Sequence, residues 1–211
     1  MTKLIVIAGV DGTGKTTLSH LLKENLIKRG IRVKLVRMRM NYFVSRPFLL
    51  ICRLTGLTKR PIINGKKISV HEFYRFKPIA KLIQYTHFID TFLHWMKKIY
   101  LPISFNKVVI CDRFIHDILV DFAIEANEQD IFSKRIAKFF NLLIPKNSLF
   151  FFIDVDKENI LKRRSDVVEY DKYFDQRYRI YKDLKKNKLF QIVDNNNSKE
   201  SAFSHILQIL K

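Results

Sequence analysis

Nine residues near the start, GVDGTGKTT from Gly9 to Thr17, hold three glycines, a lysine and three threonines. Gly9, Gly14, Lys15 and Thr16 fall at the spacing G-x-x-x-x-G-K-[ST]. The chemistry of that spacing is the grip on a phosphate. Glycines let backbone N–H groups turn inward around an anion without a Cβ in the way. A helix opening at Lys15 aims its N-terminal partial positive charge at the same anion. Lys15 reaches the β- and γ-phosphates, and the Thr16 hydroxyl suits a magnesium ion. Asp11, Gly12, Thr13 and Thr17 complete the loop wall. ATP and Mg²⁺ are therefore the expected cofactors.

A second constellation lies in VVICDRFIHD, where Asp112 and Arg113 follow an apolar run. Open α/β sheets place ligands at the C-terminal ends of strands. An aspartate there suits magnesium beside Thr16. An arginine directly after it adds a planar cationic fork for a second phosphate. The third is basic: after FIDVD come Lys162, Arg163 and Arg164. A lid at about 162–173 with arginines would neutralise charge developing on a transferring phosphate. The expected catalytic set is thus Lys15, Asp112, Arg113, Arg163 and Arg164.

These residues need strands and helices to hold them. Lys3–Gly9 reads as a strand buried on both faces. Lys15–Arg29 reads as a helix, with Leu18, Leu21, Leu22 and Leu26 at helical spacing and Gly30 as its stop. Ile31–Met38, Val108–Cys111, Leu149–Ile153 and Leu189–Val193 read as further strands. Helices are expected at about 72–100, 115–126, 129–143, 157–164, 172–187 and 199–210. Strands joined by helices predict an α/β fold, a parallel sheet with both faces covered. In the helix before Val108, Leu82, Tyr85, Ile89, Phe92 and Met96 form an apolar stripe. His87, Asp90, Thr91 and His94 form a polar line on another face. Residues 41–71 are turn-rich and read as irregular, within a basic excursion over 41–81 on the acceptor side of one domain, 1–211.

The chain has 211 residues, 47% of them hydrophobic, which suits one buried core and argues against disorder. Two cysteines, Cys52 and Cys111, make no disulfide framework, and Cys111 reads as a buried thiol in a reducing cytoplasm. No apolar run is long enough to span a bilayer, so a cytoplasmic location is expected. Net charge is +19, and residues 41–107 carry twelve Lys and Arg against two acids. Such a field attracts polyanions, either nucleic acid or an anionic membrane surface.

Taken together, GVDGTGKTT, CDRFIHD, LFFFIDVDKENILKRR, the segment with Phe174, Arg177 and Tyr181, and QIVDNNNSKES resemble thymidylate kinase and related nucleoside-monophosphate kinases. The resemblance covers about 1–40 and 82–211. It implies a P-loop fold with a sheet of roughly five strands. It also implies that Asp11 faces the acceptor sugar, Arg113 grips the acceptor phosphate, and Arg163 or Arg164 meets the transferring phosphoryl group. The loop Asp194–Ser198, with Asn195, borders the adenine. Arg39, Phe88 and Thr91 fall at acceptor-side positions, and a homodimer is common in that family. The pattern departs at Ala8, where a glutamate is usual, and at Thr91, where an arginine is usual. Arg37-Met38-Arg39 only loosely echoes an Arg-x-Pro. All three departures concern the acceptor.

The leading expectation is an ATP-dependent phosphotransferase acting on a small nucleotide acceptor, thymidylate by resemblance. A P-loop kinase of a nucleoside or non-nucleotide acceptor is the second reading. A P-loop protein that binds nucleic acid or an anionic membrane is the third.

Overall fold

The computed structural model describes residues 2–38, 43–63 and 65–210. The elements run β1 (Leu4–Ala8), α1 (Lys15–Lys28), β2 (Val33–Arg37), α2 (Arg46–Leu54), β3 (Thr58–Lys59), β4 (Ile62–Ile63), β5 (Lys66–Lys67) and β6 (Val70–His71). Then come a 3-10 turn (Phe73–Arg75), α3 (Lys77–Trp95), a π turn (Met96–Tyr100), α4 (Leu101–Ser104), β7 (Val108–Asp112) and α5 (Ile115–Glu125). After a 3-10 turn (Ile131–Ser133) follow α6 (Arg135–Asn141), β8 (Ser148–Asp154), α7 (Lys157–Arg163), α8 (Asp166–Tyr170), α9 (Phe174–Leu184), β9 (Phe190–Asp194) and α10 (Lys199–Ile209).

The main sheet is five-stranded in the order β2-β7-β1-β8-β9, and every pairing is parallel. The expected α/β fold is therefore present. Parallel strands covered on both faces must be apolar throughout, and β1 and β7 are buried at every residue. Behind them pack Leu18, Leu22, Phe114, Phe122, Phe140, Phe150 and Phe152.

Two expectations need correction. Residues 41–71 are not irregular in their described part. They hold α2 and two short antiparallel pairings, β3 with β6 and β4 with β5. A second small core of Cys52, Phe73, Ala80 and Ile83, flanked by Phe48, Leu49 and Leu57, pins this unit to α3. Next, the expected helix 72–100 is broken. Pro78 sits in the first turn of α3, where a missing N–H costs nothing, and the last turn widens into the π turn.

The structure also decides which face of α3 lies inside. The apolar stripe faces outward: Ile89 is 45% exposed, and Leu82, Tyr85 and Phe92 are likewise open. The polar line faces inward, with Asp90 1% exposed and His87 and Thr91 buried. The buried acid of this face is satisfied. Asp90 accepts from the Val44 N–H (2.7 Å), the Ser45 N–H (3.0 Å) and the Ser45 hydroxyl. The His87 ring packs edge-on to Phe122 of α5, 5.5 Å between centroids.

Burial also sets an acid sensitivity. His116 lies between Phe150 and Phe190, and burial pulls its pKa down to about 4. The fold holds it neutral, whereas the unfolded chain protonates it near pH 6.5. Its contribution is complete above about pH 6.5 and is lost as pH falls toward 4. His87 is pulled down to about 4 for the same reason. Asp117 and Glu125 are pushed up by burial and act in the opposite sense, so a comparison of variants is the clean readout. His116→Phe keeps an aromatic ring against both phenylalanines. Between pH 7 and pH 4 the parent should lose on the order of 3 kcal/mol more stability than this variant. Urea titrations at both pH values measure it, and equal losses contradict it.

Candidate active site

Three elements converge on the loop between β1 and α1, and each meets a glycine. A Cβ at Gly9 would lie 2.7 Å from the Ile153 carbonyl of β8. One at Gly12 would lie 2.9 Å from Ile160 of α7, with Arg164 just beyond. One at Gly14 would lie 2.7 Å from the Asn195 side-chain nitrogen. All three glycines have positive φ, so the turn and the close approach both require them. The Val10 carbonyl holds the loop closed. It accepts from the Thr13 hydroxyl at 2.8 Å and from Lys15 Nζ at 2.7 Å. Asn195 is buried and donates to the Thr13 carbonyl at 2.8 Å, tying the end of β9 to the loop. The first turn of α1 has neither a side-chain cap nor an acid, which leaves its N–H groups available to an anion.

Gly14→Ala therefore tests the loop. Its φ of 91° and the Asn195 contact both oppose a methyl group. Nucleotide affinity should fall at least about tenfold, with about 1–3 kcal/mol lost from stability. Calorimetric titration with ATP reads the first and urea unfolding the second. Unchanged affinity would show that the loop does not hold the nucleotide.

The parallel register pairs Ile7 of β1 with Asp112 of β7. Asp112 is therefore delivered to the mouth of the loop, where the Thr16 hydroxyl donates to its Oδ2 at 2.7 Å. Asp112 Oδ1 is buried and has no hydrogen-bond partner among the described residues. A hydroxyl and a carboxylate with one idle oxygen are hard donors of the kind Mg²⁺ takes. Among the described residues no cluster of three or more His, Cys, Asp or Glu could cage a metal by itself. That donor set suits an ion that keeps most of its other ligands from phosphate and water.

Arg113, next in sequence, has φ 69°, a left-handed conformation uncommon for a residue with a side chain. Strained backbone of this kind clusters at functional sites. Its guanidinium donates to Asp11 in the loop, and Lys15 Nζ approaches the same carboxylate at 3.3 Å. Burial works against the Asp11 charge, but Lys15 and Arg113 outweigh it and hold its pKa well below the usual carboxylate range. Lys15 is only 5% exposed, and burial lowers its pKa. One face thus gathers two cations and an anion at the strand ends.

The other expected residues are placed as follows. Arg164 lies beside Gly12 and is paired with Asp166 through Nε and an Nη. Arg163 turns the other way and donates to the Asn196 carbonyl at 2.9 Å, beside the β9–α10 loop. Thr17 is exposed on the first turn of α1. Phe88 does not join the group, because its ring packs on Phe139 and Phe140 of α6. Thr91 is buried on the inner face of α3. Arg39 lies outside the described residues.

Sequence reasoning gave no role to Asp117, Asp121 or Asp154. Asp117 accepts from the Tyr181 hydroxyl at 2.5 Å and from the Phe114 N–H at 2.8 Å, so it starts α5 and fixes the residue after Arg113. Arg177 of α9 donates to Asp121 and, at 2.7 Å, to Asp171. Asp154, ending β8, accepts from Lys182 and Lys185. The available signal was spacing: Asp117 and Asp121 stand four and eight residues after Arg113, on one helix face.

Comparison with known proteins bears on this arrangement. No protein-family model matches the chain. A probable thymidylate kinase 1 from Saccharolobus solfataricus is 26% identical over 100% of this chain and 98% of its own length. A probable thymidylate kinase from Pyrococcus horikoshii is 28% identical, covering 98% and 95%. A thymidylate kinase from Ehrlichia canis is 29% identical, covering 91% and 88%. Over nearly its whole length the chain is similar to thymidylate kinases. The crystal structure of thymidylate kinase from Ehrlichia chaffeensis shares the fold of this chain. It superposes with a TM-score of 0.59 at 21% identity, over 99% of this chain and 98% of that one.

Proposed function

We propose that the protein is a thymidylate kinase, transferring the γ-phosphoryl group of ATP to dTMP to give dTDP and ADP. The observation that carries this reading is the meeting of Arg113 with the phosphate loop through Asp11, beside the Thr16–Asp112 pair. Full-length similarity to thymidylate kinases supports it.

An acceptor phosphate is anionic near neutral pH, so no general base is required. Catalysis becomes positioning and neutralisation of charge. In this reading the loop amides and Lys15 hold the donor phosphates, and Thr16 and Asp112 would hold Mg²⁺. Bound there, the ion would offset charge on the donor phosphates. Arg113 binds the acceptor phosphate, and Asp11 keeps that guanidinium pointed across the gap. Arg164, beside Gly12, is the lid arginine nearer the transferring group. Arg163, at Asn196, belongs to the adenine side with Asn195. The chain works as one kinase domain in the cytoplasm, with the lid at about 162–173.

We further infer a homodimer through the outward face of α3. Leu82, Tyr85, Ile89 and Phe92 are open there, and Phe139 of α6 stands 6.4 Å from Tyr85. Light scattering should give twice the chain mass, and Ile89→Glu with Phe92→Glu should halve it. A parent that runs at monomer mass refutes the dimer.

The test of function is an acceptor panel. The protein is incubated with ATP, Mg²⁺ and each nucleoside and nucleoside monophosphate in turn, and ADP is measured. Stimulation by dTMP above all others is expected. Stimulation by a nucleoside alone, or by no acceptor, would reject the reading.

A further inference from the structure

Residues 41–107 hold only two acids, Glu72 and Asp90. Both point inward. Asp90 is tied to Val44 and Ser45, and Glu72 is buried with Lys59 on it at 2.9 Å and Arg75 at 3.6 Å. The outer surface of the segment therefore carries cations without an anion among them. Arg46, Arg53, Arg60 and Lys67 are exposed there.

The same surface is also greasy. On α2, Cys52, Phe48 and Leu49 face the small core. Arg46, Leu50, Arg53 and Leu54 fall at i, i+4, i+7 and i+8, one helix face, and that face is open. Leu54 is 78% exposed, and Ile51 is open beside it. Phe43, just before the residues fastened to Asp90, is 76% exposed. The β4–β5 hairpin adds Ile62, 66% exposed, between Arg60 and Lys67.

A nucleotide with two or three phosphates cannot occupy so many cations. Nucleic acid would satisfy the charges, but it takes up aromatic rings by stacking and gains nothing from leucine and isoleucine. An anionic bilayer uses both components: headgroups meet the Arg and Lys side chains, and aliphatic tips enter the boundary with the acyl chains. No helix among the described residues is long and apolar enough to cross a membrane, so the contact would lie in the interface plane. We propose that the outer face of α2, with Phe43 and the β4–β5 hairpin, docks the protein on an anionic lipid surface. The proposal does not depend on the identity of the phosphate acceptor.

The test is co-sedimentation of the full chain with vesicles of phosphatidylcholine alone and with 30% phosphatidylserine, at low and moderate salt, each lipid fraction an assay choice on the order of a cytoplasmic leaflet's anionic content. Two variants go alongside: Arg46→Gln/Arg53→Gln/Arg60→Gln/Lys67→Gln, and Leu50→Ser/Leu54→Ser. Circular dichroism and ATP affinity check that both remain folded. The parent should bind the anionic vesicles at least about tenfold better than the neutral ones. Each variant should lose about tenfold or more, because the two components act together. No parent binding at low salt overturns the proposal. So does binding of single-stranded DNA that survives Leu50→Ser/Leu54→Ser while vesicle binding is absent. A change in particle mass on Leu50→Ser/Leu54→Ser, without a change in vesicle binding, assigns the face to a second copy of the chain and also overturns it.

Discussion

Lys15→Met should reduce turnover by about 10²- to 10³-fold or more while the protein stays folded. The ammonium is buried in the loop, 2.7 Å from the Val10 carbonyl and beside Asp11. Methionine fills the same space without the charge. Val10 keeps its bond from Thr13, and Asp11 keeps Arg113. Burial already disfavours the charged lysine, so its removal should shift stability by only about 1 kcal/mol in either direction. What is lost is a cation aimed at charge that moves during transfer. The check is kcat with saturating ATP and dTMP, next to a melting curve. Near-normal kcat in a folded Lys15→Met protein would remove the loop from the chemistry.

Arg113→Lys should damage acceptor use far more than ATP binding. A guanidinium grips a phosphate with two parallel N–H bonds, whereas an ammonium is a point charge. The left-handed backbone at Arg113 is no harder for lysine than for arginine, so the fold should not respond. The expected result is kcat/KM for dTMP lower by about 10²-fold, with ATP affinity within about twofold. The reverse pattern, weak ATP and normal dTMP, would put Arg113 on the donor side.

The donor half of the site was legible because its residues are contiguous. A strand, a glycine loop and a helix start occupy Leu4 to Thr17, and local chemistry dictates their arrangement. The acceptor half was less legible because it is assembled from distant pieces. That Arg177 meets Asp121, 56 positions away in sequence, depends on how α9 lies against α5. The orientation of α3 was left open for a related reason. Periodicity separates an apolar from a polar face but does not say which one has partners. Asp90 is inside because Val44 and Ser45 come to it from some 45 residues away in sequence, and the apolar face is largely open among the described residues. Glycine in the loop told of a turn; that Gly9, Gly12 and Gly14 each make room for a different element appears only in three dimensions.

Transfer, as opposed to hydrolysis, is the central claim, and the fate of a labelled γ-phosphate measures it directly. The parent protein is mixed with γ-labelled ATP, Mg²⁺ and dTMP, and products are separated over the first turnovers. The account predicts label in dTDP, with inorganic phosphate a minor product and far less dTDP from Arg113→Lys over the same interval at sub-saturating dTMP. Label that appears only as inorganic phosphate, at a rate indifferent to dTMP, would contradict it.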